Sequence, residues 1–398
     1  MITIDSLTEN CFFLIHDRTI SVDRSPYLTT IRRIVVKVGT HVLADEEGRL
    51  ESAIISSLAS QISALSDQGK EVILVTSGAI AAGRSILKQI PDKSSISEKQ
   101  ALAAMGQSQL MLMYQESFEP FGKRVAQVLL TRDDLTHRSR YLNAKNTFLK
   151  LIQFRAIPVV NENDTVVVDE IKFGDNDNLS AMVSILVDAD LLVLLTDILG
   201  LYPRVASSDK KHLQPLATVE RITPEVLRMA SGPGGDLGTG GMITKIEAAR
   251  MATRAGIPVV IAHGRRSNVL RNILRAEEVG TFFVPLQDRL KRKKHWIAYT
   301  LKKKGDLVLD DGAVDALVYK GKSLLPSGII EVRGRFESGQ MVSCIDSNGK
   351  EWARGLSNYS SQEIQKILGK RSSQIERILG YSIREEVIHR DTLVLVRD

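Results

Sequence analysis

The sequence predicts an α/β fold, with an open and mostly parallel sheet sandwiched by helices, followed by a small β-rich domain. From Ile34, short apolar runs rich in β-branched residues alternate with longer helix-like stretches, which is the pattern of a parallel sheet with crossover helices. The runs are almost continuously apolar, as expected for strands covered on both faces. From about residue 304 the pattern changes to short alternating strands with glycine-rich turns, which indicates a second, β-rich domain.

Six strands are expected in the first domain, at 34–38, 71–76, 125–131, 157–161, 191–196 and 258–262. Helices are expected between them, at 51–68, 100–118, 138–154, 178–189, 224–229 and 244–255. In the helix at 138–154, the apolar residues recur at a helical spacing and are expected to share one side of the helix. These residues are Leu142, Phe148, Leu149 and Ile152.

Composition narrows the class of protein. At 398 residues and 43% hydrophobic, the chain is long enough for two or three domains with full cores. Cys11 and Cys344 are the only cysteines, too few for a disulfide framework, so a reducing compartment, the cytoplasm, is expected. No apolar run approaches the roughly 18 residues of a membrane span, and the N-terminus lacks the pattern of a secretory signal.

The net charge of +6 is concentrated in one connector, since residues 289–304 carry eight Lys or Arg and no acid. We therefore divide the chain into four parts. They are an N-terminal extension at 1–30, which follows no pattern and is expected to be disordered or to reflect an early start codon, the α/β domain at 31–285, a basic linker at 286–303 and the β-rich domain at 304–398.

A polar run at 161–178, NENDTVVVDEIKFGDNDN, stands between two segments that have the composition of a buried core. A long solvated loop would have the same composition, because Asn, Asp and Gly tolerate turns. A polar cluster between core segments is also typical of a binding site. The central VVVDEIKF is expected to be a short strand or hairpin arm.

Polar residues also follow several other predicted strands. Because ligands of open α/β sheets bind beyond the carboxyl ends of the strands, we expect Lys37, Ser77, Asn161 and Asp197 to lie close together. The turns at Gly39-Thr40 and Ser77-Gly78 would let an anionic group approach backbone N–H groups. A purely structural turn explains either one equally well.

Lys37 is the sharper indication, because a lysine within an apolar strand is costly to bury unless it meets an anion. The alternative is a strand-end lysine whose ammonium reaches solvent. Together with Lys245, near the start of a predicted helix, and Asp177, it would form a set of two cations held by one carboxylate. Phosphoryl transfer needs such a set, since catalysis rests on positioning and on neutralising phosphate charge.

Two common nucleotide motifs are not supported. The segment GTGGMITK at 238–245 departs from the P-loop pattern, because no Gly precedes Lys245 directly and no Ser or Thr follows it. No GxGxxG follows a strand, which argues against a dinucleotide-binding fold.

Seven motifs, taken in order, carry a resemblance to a known family. The series VVKVGT, VTSGAIAAG, LLTRDD, NENDT, GDNDNLSA, LLTDILGLY and GTGGMITK resembles the amino-acid kinase family, over residues 31–285. Within that family, GDNDN and TGGM resemble the members that act on glutamate. The C-terminal part resembles the PUA domain, a small barrel that many bacterial members carry.

The resemblance implies transfer of the γ-phosphoryl group of ATP to the side-chain carboxylate of L-glutamate, giving glutamyl 5-phosphate, the first step toward proline. It implies that Lys37 and Lys245 are the transition-state lysines, that Asp177 orients them, and that Ser77, Asp164 and Asn176 bind glutamate. It places the nucleotide at Lys37, Thr196, Asp197, Thr239, Gly240, Gly241, Met242, Ile243, Thr244 and Lys245. Mg²⁺ is expected on the ATP phosphates, with no protein ligand assigned.

The residue types agree with these implied roles. Glutamate presents an ammonium that Asp164 can pair with, and a carboxylate that Ser77 and the Gly78 turn can hold through O–H and N–H donors. Two lysines suit a reaction between two anions, the carboxylate and the γ-phosphate. No general base is needed, because a carboxylate is already a nucleophile.

Two other functions remain open from the sequence. Another amino-acid kinase, acting on acetylglutamate or aspartate, would have a different substrate loop in place of NENDT and GDNDN. An RNA-binding role would rest on the PUA resemblance and the basic linker, although residues 305–398 carry 13 basic and 14 acidic side chains. The family resemblance also implies feedback inhibition by proline and a homo-oligomer, either a dimer or a tetramer.

Overall fold

The computed structural model describes residues 22–87, 95–166, 175–203, 214–230, 241–286, 303–382 and 384–396. An eight-stranded sheet organises the first domain, in the order β3-β4-β2-β1-β5-β7-β8-β6. All neighbouring strands are parallel except β7 and β8. The predicted open, mostly parallel sheet is confirmed.

The strands lie close to their predicted positions. They are β1 (Arg33–Val38), β2 (Glu71–Thr76), β3 (Arg124–Leu130), β4 (Ala156–Glu162), β5 (Leu191–Thr196), β6 (Thr218–Val219), β7 (Val259–His263) and β8 (Thr281–Phe283). The sequence pattern missed β6 and β8, because two- and three-residue strands are too short to show a period.

The helices of this domain connect the strands. They are α1 (Ser25–Leu28), α2 (Thr40–Leu43), α3 (Ser52–Asp67), α4 (Ala79–Ile86), α5 (Ile96–Phe118), α6 (Arg132–Thr136), α7 (Arg138–Gln153), α8 (Asp175–Leu186), α9 (Pro224–Ala230), α10 (Met242–Arg254) and α11 (Val269–Leu274). Helix α5 begins four residues before the predicted start, because Ser95 and Glu98 form a capping box. Within the described residues, no helix is both long and apolar enough to span a membrane.

Alternate residues of the central strands pack into two separate layers. Val35 of β1 packs with the layer that contains α8 and α10, whereas Val36 packs with the layer that contains α3 and α5. Since successive side chains of a strand point to opposite faces, Lys37 belongs to the α8 and α10 side. By the same alternation, Thr76 and Asn161 belong to the α5 side.

The expected apolar side of α7 was partly wrong. Phe148 is fully buried, but Leu142 is 42% exposed. The residues that pack against the core are Tyr141, Ala144, Phe148 and Ile152. Their spacing of three or four residues places them on one stripe, and Leu142 lies one residue, about 100°, outside it.

Part of the predicted N-terminal extension, residues 22–30, is folded onto the α/β domain. The Arg24 guanidinium donates hydrogen bonds to the carbonyls of Ala217, at 2.6 Å, and Val279, at 3.0 Å. It is only 4% exposed and lies over the Phe282 ring. Leu28 of α1 is also buried in the core. The sequence did not indicate this, because a single arginine bound to backbone carbonyls leaves no periodic pattern.

The C-terminal domain has its own sheet and core, which confirms the predicted β-rich domain. Its strands are β9 (Gly305–Leu309), β10 (Ile329–Gly334), β11 (Met341–Ile345), β12 (Glu351–Leu356) and β13 (Leu393–Leu395), in the order β10-β9-β11-β12-β13. Short helices at Asp311–Val318, Ser361–Ile367 and Ile375–Leu379 accompany them. Cys344 of β11 is fully buried, and burial raises the pKa of its thiol to about 12.

Candidate active site

A cavity of about 1410 Å³ runs along the carboxyl ends of β1, β2, β4 and β5. Lys37, Ser77, Asn161 and Asp197, which were expected to converge, all line it. Other residues singled out from the sequence that line the same cavity are Asp164, Asn176, Asp177, Thr196, Gly241, Met242 and Lys245. Thr239 and Gly240, as well as most of the VVVDEIKF segment, lie outside the described residues.

Three buried charges line one part of the cavity. Asp177 is the third residue of α8 and is fully buried. Lys37 Nζ lies 2.6 Å from its Oδ1, and Lys245 Nζ lies 3.2 Å from its Oδ2. Lys245 comes from the first turns of α10. Two lysines 208 positions apart in sequence thus share one carboxylate.

The neighbours of this trio hold Asp177 and Lys245 in place. Thr244 Oγ1 donates to Asp177 Oδ2 at 2.7 Å, and Lys245 Nζ donates to the carbonyl of Gly241 at 3.2 Å. Thr244 was expected in the nucleotide loop, and the structure shows that its hydroxyl contacts the carboxylate between the lysines. With Lys37 at Oδ1 and Lys245 at Oδ2, each carboxylate oxygen of Asp177 lies next to an ammonium group.

The electrostatics of the trio follow from its burial. Burial lowers the pKa of Lys37, and the Asp177 carboxylate opposes this effect. Burial alone would raise the pKa of Asp177, but the charges of Lys37 and Lys245 outweigh it and hold the pKa below its usual value. Two cations and one anion leave a net positive charge in a buried site. Such a site favours an anionic ligand, because an uncompensated buried charge is costly.

Glycines at two strand ends leave room beside these charges. A Cβ atom at Gly39 would lie 3.3 Å from Lys37 Nζ, so a side chain there would crowd the ammonium group. Gly78 precedes α4 and has φ of 108°, a left-handed conformation that favours glycine. The Ser77-Gly78 turn thereby presents the N-terminus of α4 to the cavity.

In another part of the cavity, neutral side chains form a chain of hydrogen bonds. Asn176 Nδ2 donates to Ser77 Oγ at 3.0 Å and to Asn161 Oδ1 at 3.1 Å. Asn161 Nδ2 in turn donates to Gln107 Oε1 of α5 at 2.8 Å. Asp164 lines the cavity as well. Gln107 was not singled out from the sequence, although an amide among Ala103, Leu110 and Tyr114 on a buried face was a usable signal.

The end of β5 also lines the cavity. Thr196 Oγ1 donates to Asp197 Oδ1 at 2.9 Å. Burial acts to raise the pKa of Asp197, but this hydrogen bond, a backbone hydrogen bond and the nearby Lys245 lower it overall. Asp197 is therefore ionised at neutral pH. His41, which also lines the cavity, was not singled out from the sequence.

Comparison with known proteins agrees with this architecture. Residues 32–263 match the Amino acid kinase family, and residues 305–379 match the PUA domain. The chain is 52% identical to a glutamate 5-kinase of Pelobacter propionicus, over 92% of this chain and 98% of that protein. It is 50% identical to a glutamate 5-kinase of Geobacter sulfurreducens, over 94% of this chain and 100% of that protein.

Among solved structures, a carbamate kinase from Giardia lamblia bound to AMP-PNP has 15% identity and a TM-score of 0.45, and the match covers 65% of this chain and 100% of that one. The two domain matches and the similarity to relatives along nearly their whole length lead to one conclusion. The chain belongs to the amino acid kinase family, and carries a PUA domain at its C-terminus.

Proposed function

We propose that this protein transfers the γ-phosphoryl group of ATP to the side-chain carboxylate of L-glutamate, giving L-glutamyl 5-phosphate and ADP. The names of the relatives described above support this substrate pair. The observation that carries the proposal is the buried Lys37, Asp177 and Lys245 trio, whose net positive charge suits two anions that must approach each other.

In the proposed reaction, a side-chain carboxylate oxygen of glutamate attacks the γ-phosphorus. The bond between that phosphorus and the β,γ-bridging oxygen breaks, and its electron pair leaves with ADP. No proton is transferred, because the nucleophile is already ionised. Lys37 and Lys245 stabilise the charge on the transferring group, which is where positioned cations act in phosphoryl transfer. Asp177 keeps both ammonium groups at the reaction centre.

Glutamate is proposed to occupy the part of the cavity lined by Ser77, Asn161, Asp164 and Asn176, which we call the glutamate end. Asp164 would pair with its ammonium group, while the Ser77 hydroxyl and the Gly78 turn would donate to its α-carboxylate. The Oδ1 atom of Asn176 is buried and has no hydrogen-bond partner among the described residues. It is therefore an acceptor that a substrate ammonium can satisfy.

ATP is proposed to lie along Thr196, Asp197 and the loop from Thr239 to Lys245. Mg²⁺ would accompany its phosphates and neutralise part of their charge. Within the described part of the chain, no group of three or more His, Cys, Asp or Glu is arranged for a metal ion. Since Mg²⁺ usually takes one or two carboxylates in addition to phosphates and water, the ionised Asp197 is the side chain best suited to contribute.

A substrate panel tests this proposal. The wild-type protein is assayed for ADP release with ATP and Mg²⁺, using glutamate, aspartate and acetylglutamate in turn. We expect glutamate to have the highest kcat/KM. Preference for acetylglutamate or aspartate would assign the chain to another activity of the family, and absence of turnover with all three would contradict a kinase acting on these amino acids.

Three finer proposals remain, of which the first two rest on the family resemblance. Proline is proposed to inhibit by feedback, and a proline titration of glutamate turnover tests this. The chain is proposed to form a dimer or tetramer, which light scattering distinguishes from a monomer. The scarcity of cysteine supports a cytoplasmic location.

A further inference from the structure

We infer that Gln107, on helix α5, is a positioning residue that orients the amides of the glutamate end through Asn161. The inference rests on the proposed function, because it concerns how that substrate is held. Gln107 does not line the cavity, so it acts through other residues. It is 9% exposed, and Asn161 is 2% exposed.

The donors and acceptors of the hydrogen bonds that join Glu162, Asn161 and Gln107 are fixed in one order. The backbone N–H of Glu162 donates to Asn161 Oδ1 at 2.9 Å, and a backbone donor cannot be exchanged for an acceptor. This contact fixes which side of the Asn161 amide is oxygen. Its Nδ2 then faces Gln107 Oε1, at 2.8 Å. Gln107 therefore supplies the acceptor that the fixed Asn161 amide requires.

The next step carries this orientation into the cavity. Because Asn161 Oδ1 is an acceptor, the Asn176 amide meets it with its Nδ2, at 3.1 Å, and the same nitrogen donates to Ser77 Oγ, at 3.0 Å. Asn176 Oδ1 is left as the buried acceptor that is proposed to face the substrate ammonium. Without the acceptor on Gln107, Asn161 Nδ2 would be buried without a partner, and an Asn161 amide that turned to avoid this would also turn Asn176.

Helix α5 is held firmly against this part of the site. A Cβ atom at Gly106 would lie 1.9 Å from the carbonyl oxygen of Ala79, so the helix approaches the start of α4 more closely than a side chain allows. Seven residues after Gln107, the hydroxyl of Tyr114 lies 2.7 Å from Thr76 Oγ1. The Gln107 side chain is thus presented from a helix that is fixed beside the Ser77 turn.

Gln107 Nε2 is itself buried and has no hydrogen-bond partner among the described residues. A buried unpaired donor is costly, and an apolar residue of similar size would remove that cost. The stability of the folded protein alone therefore does not explain an amide at this position. It is explained if its carbonyl oxygen is needed by Asn161.

The experiment compares Gln107→Met with Ser117→Ala in the full-length protein. Methionine keeps the volume of glutamine but removes the acceptor. Ser117 is on the same helix, its hydroxyl lies 3.2 Å from that of Ser56, and neither serine lines the cavity. We expect Gln107→Met to raise the KM for glutamate about tenfold, the effect of one lost buried hydrogen bond. The KM for ATP and kcat should stay within about twofold of wild type, and Ser117→Ala should change none of the three.

A double-mutant cycle separates positioning from a general packing effect. If Gln107 acts through Asn176, Gln107→Met should add little to the KM for glutamate of Asn176→Ala. Full additivity, an unchanged KM for glutamate in Gln107→Met, or an equal rise in the KM for both substrates would overturn the inference. If Gln107→Met does not fold, Gln107→Asn, which withdraws the acceptor by one methylene, must show the same selective rise. Wild-type turnover with glutamate is measured in parallel, so that failure of the proposed function is seen separately.

Discussion

The reaction end and the glutamate end of the cavity are built in different ways, and helix α8 contributes Asp177 to the first and Asn176 to the second. The reaction end consists of three buried charged side chains, with Asp177 from α8 and Lys245 from α10 on one face. The glutamate end consists mainly of neutral groups, with Asn161 bound to Gln107 of α5 on the other face. In the proposed function, charge is concentrated where two anions would react, and hydrogen-bond direction is set where glutamate would be recognised. Changes at the two ends should therefore affect different kinetic constants.

The largest expected effect comes from removing one charge of the reaction end. Lys245→Ala should lower kcat by about three orders of magnitude or more, since a positioned cation on a transferring phosphoryl group has effects of that size. The variant should fold, because Lys37 still pairs with Asp177. Coupled ADP release measures the effect, with Lys123→Ala, which alters a lysine that pairs with the exposed Asp67, as the control. Wild-type turnover in Lys245→Ala would exclude the proposed role.

Removing the shared carboxylate should affect stability as well as turnover. Asp177→Asn leaves two buried ammonium groups without their anion and should lower the free energy of unfolding by about 3–5 kcal/mol. Because the Asp177 pKa is lowered in the folded protein, its stabilising contribution is present above the unfolded pKa of about 4 and is lost as the pH falls through the folded value.

Urea denaturation at pH 7 measures this difference. Asp188→Asn is the matched control, because that carboxylate is 63% exposed and pairs with Lys145, so about 1 kcal/mol or less is expected. Equal destabilisation by the two substitutions would show that the buried trio does not depend on Asp177.

At the glutamate end, a substitution should change substrate affinity selectively. Asn176→Ala should raise the KM for glutamate by about one order of magnitude, since it removes the hydrogen bonds of one buried amide. The KM for ATP should change by less than about twofold.

Thr196→Val at the end of β5 should show the opposite selectivity, because its hydroxyl holds Asp197. Both KM values are measured by steady-state kinetics with each substrate varied in turn. Equal changes in the KM for glutamate and the KM for ATP in both variants would contradict the division of the cavity.

The smallest effect is expected from ending the chain at residue 303, which removes the PUA domain. Every residue of both ends of the cavity lies before that point. We expect kcat and both KM values to remain within a few-fold of those of the full chain, measured on a soluble shortened protein with an intact circular dichroism spectrum. Complete loss of activity in such a protein would show that the PUA domain completes the site.

The fold and the convergence of several polar side chains on one cavity were largely predictable, for the same reason. Long apolar strands can be recognised from their amino-acid composition, and Lys37 is conspicuous because it interrupts one of them. The rule that ligands bind at the carboxyl ends of parallel strands then predicted that Ser77, Asn161 and Asp197 would meet Lys37. The cavity brings all four together.

The features that the sequence did not predict depend on contacts between segments that are far apart in sequence. Arg24 binds carbonyls more than 190 positions away, and nothing in its neighbourhood in sequence indicates that. Leu142 was assigned to the wrong side of α7 because leucine alone does not define the register of a helix. Gln107 was overlooked because its partner, Asn161, is 54 residues away and the direction of an amide is visible only from its neighbours.

The most direct test of the central claim identifies the atom that receives the phosphoryl group. Wild-type protein is incubated with ATP, Mg²⁺, glutamate and hydroxylamine, which converts an acyl phosphate into a stable hydroxamate. We predict the hydroxamate of the side-chain carboxylate, formed in step with ADP and absent with Lys245→Ala. The hydroxamate of the α-carboxylate, or ADP release without any hydroxamate, would contradict the account.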